Sequence, residues 1–309
     1  MIVTVTLNPA VDKTAHTEKI VPGGLNRLSG VIADAGGKGV NVSKMIAALG
    51  GSSVATGFLG SNAYGDFTGA LGGMGIGTDF VAISAKTRTN LKIISPGTGV
   101  TELNEPGPDI EAEEIASLTK KLTGYAKPGS FFAFSGSLPP GVSPETYREI
   151  IGAVKERGAA VFLDADGEVF RAALEARPDY VKPNIFELAQ HFGADENMGL
   201  EQAADLCGRL IRRGVKMVAL SMGEKGALFV TEHERLRSPG LAVSAKSTVG
   251  AGDSMVGAIL HASARGMPIK ETAALAMAAS AGAVTTEGTK PPARETVDRL
   301  LAQVTFQGI

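Results

Sequence analysis

The residues of this chain best suited to chemistry stand together late in the sequence, in Ser247-Thr248-Val249-Gly250-Ala251-Gly252-Asp253-Ser254. Glycines at 250 and 252 let the backbone turn sharply and come close to a ligand, because they carry no Cβ. An apolar run follows, with Met255, Val256, Ile259 and Leu260 on one face of a helix. Free amides at the start of such a helix, with the positive end of its dipole, make a seat for an anion. A carboxylate beside that seat repels a phosphate unless it faces a hydroxyl. Asp253 therefore reads as a base that takes the proton of an alcohol, while the backbone of Gly250, Ala251 and Gly252 holds the phosphoryl group in transfer. The competing reading is that Asp253 merely caps the helix. On this stretch alone both stand.

A second glycine turn, Gly36-Gly37-Lys38-Gly39-Val40-Asn41, opens another helix. It fails as a Walker loop, because Gly39 stands where Ser or Thr must follow the lysine. The 250–255 stretch fails as a dinucleotide fingerprint, because Met255 occupies the place of the third glycine. What survives is a turn presenting Lys38 and Asn41 beside exposed amides, suited to a polyhydroxylated or anionic ligand. A solvated surface lysine is the plainer alternative.

Other candidates are scattered. Asp12 lies just past the first apolar strand, where open α/β sheets place ligands, or else forms a turn after Pro9. Arg88, Asn90 and Lys92 alternate along an extended stretch and share a face, either to grip a phosphate or to guard a solvated edge. In Lys182-Pro183-Asn184-Ile185-Phe186-Glu187, Asn184 and Glu187 fit a capping box. The functional alternative is an amide and a carboxylate arranging water around Mg²⁺. Ser221-Met222-Gly223-Glu224-Lys225-Gly226 reads as a hairpin turn. The four histidines have no metal-ligand spacing, and no serine sits in a nucleophile elbow.

Holding these groups together requires elements that alternate. Strands are expected at 2–7, 54–59, 131–135, 160–164, 179–182, 216–221 and 226–230. Helices are expected at 63–71, 111–124, 144–157, 167–176, 185–191, 200–213, 252–265, 270–285 and 294–303, besides the one opened at Gly36. That rhythm argues for an α/β fold, a mainly parallel sheet covered by helices on both sides. Segments at about 14–32 and 87–105 interrupt it and are read as strands of a small second sheet, a lid. No repeat or low-complexity linker divides residues 1–309, so one domain is expected.

Composition excludes several classes. The 309 residues are 44% hydrophobic and 20% charged, with a net charge of −2, so no broad field favours nucleic acid or a membrane surface. A single cysteine, Cys207, rules out an internal disulfide and a cysteine-held metal cluster. No apolar run reaches membrane-spanning length and the first residues carry no basic segment, so a cytoplasmic protein is expected.

Taken together, the motifs at 36–41 and 247–253 resemble those of the ribokinase-like (PfkB) carbohydrate kinases, and the likeness runs nearly the whole length. Thr6-Leu7-Asn8-Pro9-Ala10-Val11-Asp12, Thr87-Arg88-Thr89-Asn90 and Ser135-Gly136-Ser137-Leu138-Pro139 resemble its hexose-phosphate branch. The resemblance implies a three-layer α/β/α fold and transfer of a phosphoryl group from ATP, with Mg²⁺, to a ketohexose phosphate. Asp253 would be the base and residues 250–252 the anion hole. Asp12, Gly37, Lys38, Asn41 and Asn90 would meet the sugar, and Arg88 its phosphate. Lys182, Asn184, Glu187, Ser221, Gly223, Gly226 and Thr248 would lie on the nucleotide side, with Glu187 reaching the metal through water. The lid carrying Arg27 would pair two subunits into a homodimer. Asp164-Ala165-Asp166-Gly167 departs from the family pattern, which often has small hydroxyl residues after the first aspartate. A non-catalytic sugar-phosphate sensor on the same fold is the rival from another class.

Overall fold

Successive residues of the apolar strands pack on opposite sides of a sheet, and both sides are covered. Phe132, Phe134, Val161, Leu163, Val218 and Leu220 face one core, while Ala133, Phe162, Met217 and Ala219 face another. Burial on both faces explains why these strands read as continuous apolar runs rather than alternating ones.

The computed structural model describes residues 1–96 and 99–308. In chain order, β1 (Ile2–Thr6), β2 (Ala10–His16) and β3 (Ser29–Gly36) precede α1 (Lys38–Ala48). Then come β4 (Val54–Gly60), α2 (Tyr64–Gly73), β5 (Gly77–Thr78), β6 (Val81–Ile83), β7 (Arg88–Ser95) and β8 (Gly99–Asn104). The middle of the chain alternates: α3 (Ala112–Tyr125), β9 (Phe131–Ser135), α4 (Pro144–Glu156), β10 (Ala160–Asp164), α5 (Gly167–Leu174), β11 (Tyr180–Val181) and α6 (Ile185–Phe192). Next are α7 (Leu200–Arg212), β12 (Met217–Ser221), β13 (Ala227–Val230) and β14 (Arg235–Ser238). Helices α8 (Ala251–Ser263), α9 (Ile269–Ala283) and α10 (Arg294–Leu301) lead to β15 (Gln307–Gly308).

The large sheet runs β15-β14-β13-β12-β11-β10-β9-β1-β4-β5, with β6 also paired to β4. It is parallel from β12 through β4 and antiparallel from β12 to β15. Helices α3 to α7 contribute to the core on one face, and α1, α8, α9 and α10 to the core on the other. This is the expected three-layer arrangement. The small sheet, in order β3-β2-β7-β8, stands apart from the large one.

Its strands differ in extent from the expected 14–32 and 87–105. Pairing begins at Ala10 and resumes at Ser29, so Asp12 sits inside a strand rather than in a turn after Pro9. The β2–β7 ladder is parallel and aligns Asp12 with Asn90. Residues 97 and 98 of the second segment lie outside the described residues. β14 was not foreseen, because Arg235-Leu236-Arg237-Ser238 is charged on alternate positions and lacks β-branched residues.

Candidate active site

Two helix starts meet at the carboxyl end of the large sheet. Gly37 has a φ of 118°, and a Cβ there would lie 2.7 Å from the Thr6 methyl, so only glycine lets α1 begin against the end of β1. Gly250 caps α8 in the left-handed region, with a φ of 81°. Asp253 makes no capping bond and is buried. Between the two helices Gly257 lies against Met45 and the Val42 carbonyl, which allows a close crossing. As a result the Asn41 side-chain amide donates to Asp253 Oδ2 at 2.9 Å.

Burial raises the Asp253 carboxyl to a pKa of about 6, and the negative charge of Asp164 adds to the rise. The Asn41 hydrogen bond and the ammoniums of Lys38 and Lys182 act against it. A carboxylate tuned near neutral pH is matched to general-base work. Lys38 is held firmly protonated, chiefly by Asp164. Asp164 itself is buried and stays below the usual carboxylate range, because Lys182 and Lys38 outweigh its desolvation. Its Oδ1 lies 3.6 Å from Lys38 Nζ and 3.4 Å from Lys182 Nζ.

All the sequence candidates line one cleft of about 1310 Å³. Lys38, Gly37, Asn41 and the 250–253 turn form its middle, where Lys182 also reaches in. Asp12, Arg88 and Asn90 enter from the small sheet, with Lys92 on the same face as the alternation predicts. Asn90 donates to Asp12 Oδ1 at 2.9 Å, and the Asp12 carboxyl packs directly on the Gly36 Cα. Arg88 donates to the carbonyls of Asn8 and Glu105, which fixes its guanidinium beside a smaller pocket of about 170 Å³ that Lys38 and Ser137 also line. Buried oxygens of Thr6, Asn8, Asn41 and Asn90 lack partners among the described residues. Such atoms suit a ligand rich in hydroxyls.

The opposite end holds Asn184, Glu187, Ser221, Gly223, Gly226 and Thr248. The capping box is formed in full: Asn184 Oδ1 accepts from the Glu187 amide, and Glu187 Oε2 accepts from the Asn184 amide. Asn184 and Ser221 also pair in a parallel bridge, which joins two strand ends. Gly226 packs on the Ser238 carbonyl, where a Cβ would come within 2.1 Å. Apolar side chains of Phe186, Met198, Leu241, Val243 and Met277 line this end, an environment for a flat ring rather than a sugar. No cluster of three or more His, Cys, Asp or Glu occurs among the described residues. Glu187 lines that end together with Glu196 and Glu224, and one or two carboxylates with ligand phosphates are the usual protein share of a Mg²⁺ site.

Sequence reasoning named Asp164 only within a departure from the family pattern and gave it no place in this centre, although its position at the end of an apolar strand was a usable signal. Ser137 of the small pocket entered only through the family resemblance and was given no role. The apolar end was missed: Met198, Leu241 and Val243 come from irregular segments, while Phe186 and Met277 belong to α6 and α9.

A model of the pfkB family carbohydrate kinases matches residues 5–296, and the chain belongs to that family, whose members move a phosphoryl group from ATP to a carbohydrate. It is 38% identical over 308 residues to a 1-phosphofructokinase of Rhodobacter capsulatus, covering 99% of this chain and 97% of that one. Phosphofructokinase-2 of Escherichia coli, crystallised with substrates and products, superposes with a TM-score of 0.93 at 29% identity over 98% of both chains. Ribokinase of Thermotoga maritima shares the fold, with a TM-score of 0.77 at 24% identity over 98% of this chain and 99% of that one. No described helix is long and apolar enough to cross a membrane.

Proposed function

We propose that this chain transfers the γ-phosphoryl group of ATP to fructose 1-phosphate, giving fructose 1,6-bisphosphate and ADP. The observation that carries the reading is the buried Asp253 carboxylate in a cleft shared with Lys38, Arg88 and a free helix start. The name of the R. capsulatus relative supports the choice of acceptor.

In this reading the sugar lies between Asp12, Asn41 and Asn90, with its phosphate in the small pocket beside Arg88. The nucleotide lies along the opposite end, its ring among Phe186, Leu241 and Val243. The free hydroxyl attacks the γ-phosphorus, its proton passes to Asp253, and the bond to the β-phosphate oxygen breaks with its electrons leaving on ADP. Amides of residues 250–252, with Lys38 and Lys182, oppose the charge that spreads over the transferring group. Mg²⁺, when bound with the nucleotide, supplies further charge neutralisation, and Glu187 would hold it through water. Positioning and charge neutralisation carry most of the rate, with the base adding about 10²–10⁴-fold.

The small sheet acts as a lid over the sugar within a single kinase domain of residues 1–309. Its exposed Val31, Ile32, Val100 and Leu103, with Leu25 and Leu28 in the loop between β2 and β3, favour pairing with a second copy.

ADP release tests the function with fructose 1-phosphate, fructose 6-phosphate, tagatose 6-phosphate and free fructose as acceptors. The highest kcat/KM is expected with fructose 1-phosphate. A preference for either 6-phosphate would move the acceptor assignment and leave the kinase. No release with any of them would favour a sensor.

A further inference from the structure

Asp164 has no part in the chemistry just described, yet it is the most deeply buried charge in the centre. It ends β10, and its Oδ1 is within ion-pair distance of two ammoniums from different elements. Lys38 comes from the first residue of α1, and Lys182 from the residue after β11. Neither carboxylate oxygen of Asp164 has a hydrogen-bond partner among the described residues, so the two ion pairs are what hold it in place. Lys182 Nζ in turn lies against the anion turn, 3.2 Å from where a Cβ on Gly252 would stand. Two like charges this close repel unless an anion sits between them. A buried carboxylate without ion-pair partners is strongly disfavoured as well, so the three groups depend on one another.

We propose that Asp164 is a positioning residue of the phosphoryl-transfer centre: it holds the acceptor-side Lys38 and the donor-side Lys182 together at the mouth of the 250–253 turn. Both ammoniums then close on the same transferring group, and neither has to be ordered when substrates arrive. The inference rests on the kinase reading. Wild-type turnover tests that reading, and the ratio of variant to wild type tests this one.

The experiment compares wild type, Asp164→Asn, Lys182→Gln and the double variant by ADP release with varied ATP and fructose 1-phosphate, alongside thermal melting. Asp164→Asn is expected to lower kcat by about 30-fold or more while both KM values change less than about threefold, as for an interaction that matters chiefly in the transition state. Because Asp164 acts through Lys38 and Lys182 together, adding Lys182→Gln to Asp164→Asn should lower kcat little further, well short of the product of the two single losses. A folded Asp164→Asn with kcat within threefold of wild type overturns the proposal, and so do losses that multiply in the double variant. A pH profile gives a reading that a merely structural role would not move. Asp253 faces Lys38 and Lys44 of α1, Lys182, the Asn41 amide and Asp164, and losing the one carboxylate should move the acid limb of kcat/KM to lower pH. If Asp164→Asn does not fold, Asp164→Glu keeps the charge but displaces both ammoniums. Its kcat should still fall with KM held, and a wild-type kcat in that variant overturns the proposal.

Discussion

The Asn41 amide reaches Asp253 Oδ2 at 2.9 Å although 212 positions separate the two residues. That bond joins the first turns of α1 and α8, the two glycine-opened helices. It also aims one carboxylate oxygen, since Oδ2 is engaged and Oδ1 stays available to a ligand. A carboxylate buried this deeply without such a donor would be pushed further toward its neutral form. The arrangement therefore favours a charged carboxylate while excluding water from around it.

Replacing Asp253 by Asn preserves shape and removes the proposed base. Turnover should fall by about 10²–10⁴-fold with little change in ATP affinity, measured by titration of the nucleotide. Stability should move the other way. The folded pKa of about 6 lies above the ordinary 3.8, so the ionised group costs stability that grows as pH rises through that window and is constant above it. At pH 7.5 the Asn variant should be more stable by roughly 2–3 kcal/mol, and melt a few degrees higher. A variant that melts lower would contradict the strain assigned to this carboxylate.

The pH dependence follows from the same group. In the proposed mechanism Asp253 acts in its ionised form, so kcat/KM should fall as pH drops below about 6. Substrate phosphates titrate in the same range, which makes the difference between two enzymes the useful measure. In Asn41→Ala the donor that favours the charged form is gone, and the acid limb should move to higher pH. Superimposable profiles would mean that another group sets the limb.

The layers and most helix limits were legible because burial on both faces leaves long apolar runs, and because glycines and prolines punctuate them. The two glycine turns were legible as helix starts for the same local reason. What local pattern cannot carry is which distant residues meet. Nothing in positions 160–164 says that Asp164 will share its oxygen between Lys38 and Lys182, because that depends on the order of β9, β10 and β11 in the sheet. Ser137 and the apolar end near Leu241 and Val243 lie in irregular segments, where neither period 2 nor period 3.6 exists to be read. Asp12 was placed at the right edge but in the wrong element, because a strand that starts one residue after Pro9 looks like a turn.

Arg88 does two things that one substitution should separate. Its guanidinium donates to the carbonyls of Asn8 and Glu105, and it lines the small pocket beside Lys38. Arg88→Ala should raise KM for fructose 1-phosphate by about 10- to 100-fold with a smaller change in kcat. It should also cost about 1–3 kcal/mol from the carbonyls left unpaired. Arg88→Lys should recover part of the KM and little of the stability, because an ammonium cannot serve these carbonyls as a fork does. An unchanged KM in the Ala variant would place the acceptor phosphate elsewhere.

The apolar residues on the small sheet predict association. Val31 and Ile32 on one edge strand and Val100 and Leu103 on the other are each about half exposed, between 49% and 59%. Light scattering on an eluting column should give twice the chain mass, and Ile32→Asp with Leu103→Asp should give the single mass. A wild-type monomer would leave these residues without the proposed partner.

The crossing of α1 and α8 is the structural condition for everything at the site, and Gly257 is where it can be tested away from the chemistry. A Cβ there would stand 2.8 Å from Met45 Cβ and 2.9 Å from the Val42 carbonyl oxygen, so Gly257→Ala must push the helices apart. The overpacking should cost about 1–3 kcal/mol. Since Asn41 and Asp253 lie one turn away on the same two helices, the shift should also lengthen their hydrogen bond and lower kcat more than it raises KM. Gly152→Ala provides the control. It lies within α4, where a new methyl meets nothing within 4 Å, and the gain in helix propensity should stabilise by about 0.5–1 kcal/mol without touching kcat. Equal kcat values in the two variants would show that the helix crossing does not govern the proposed base.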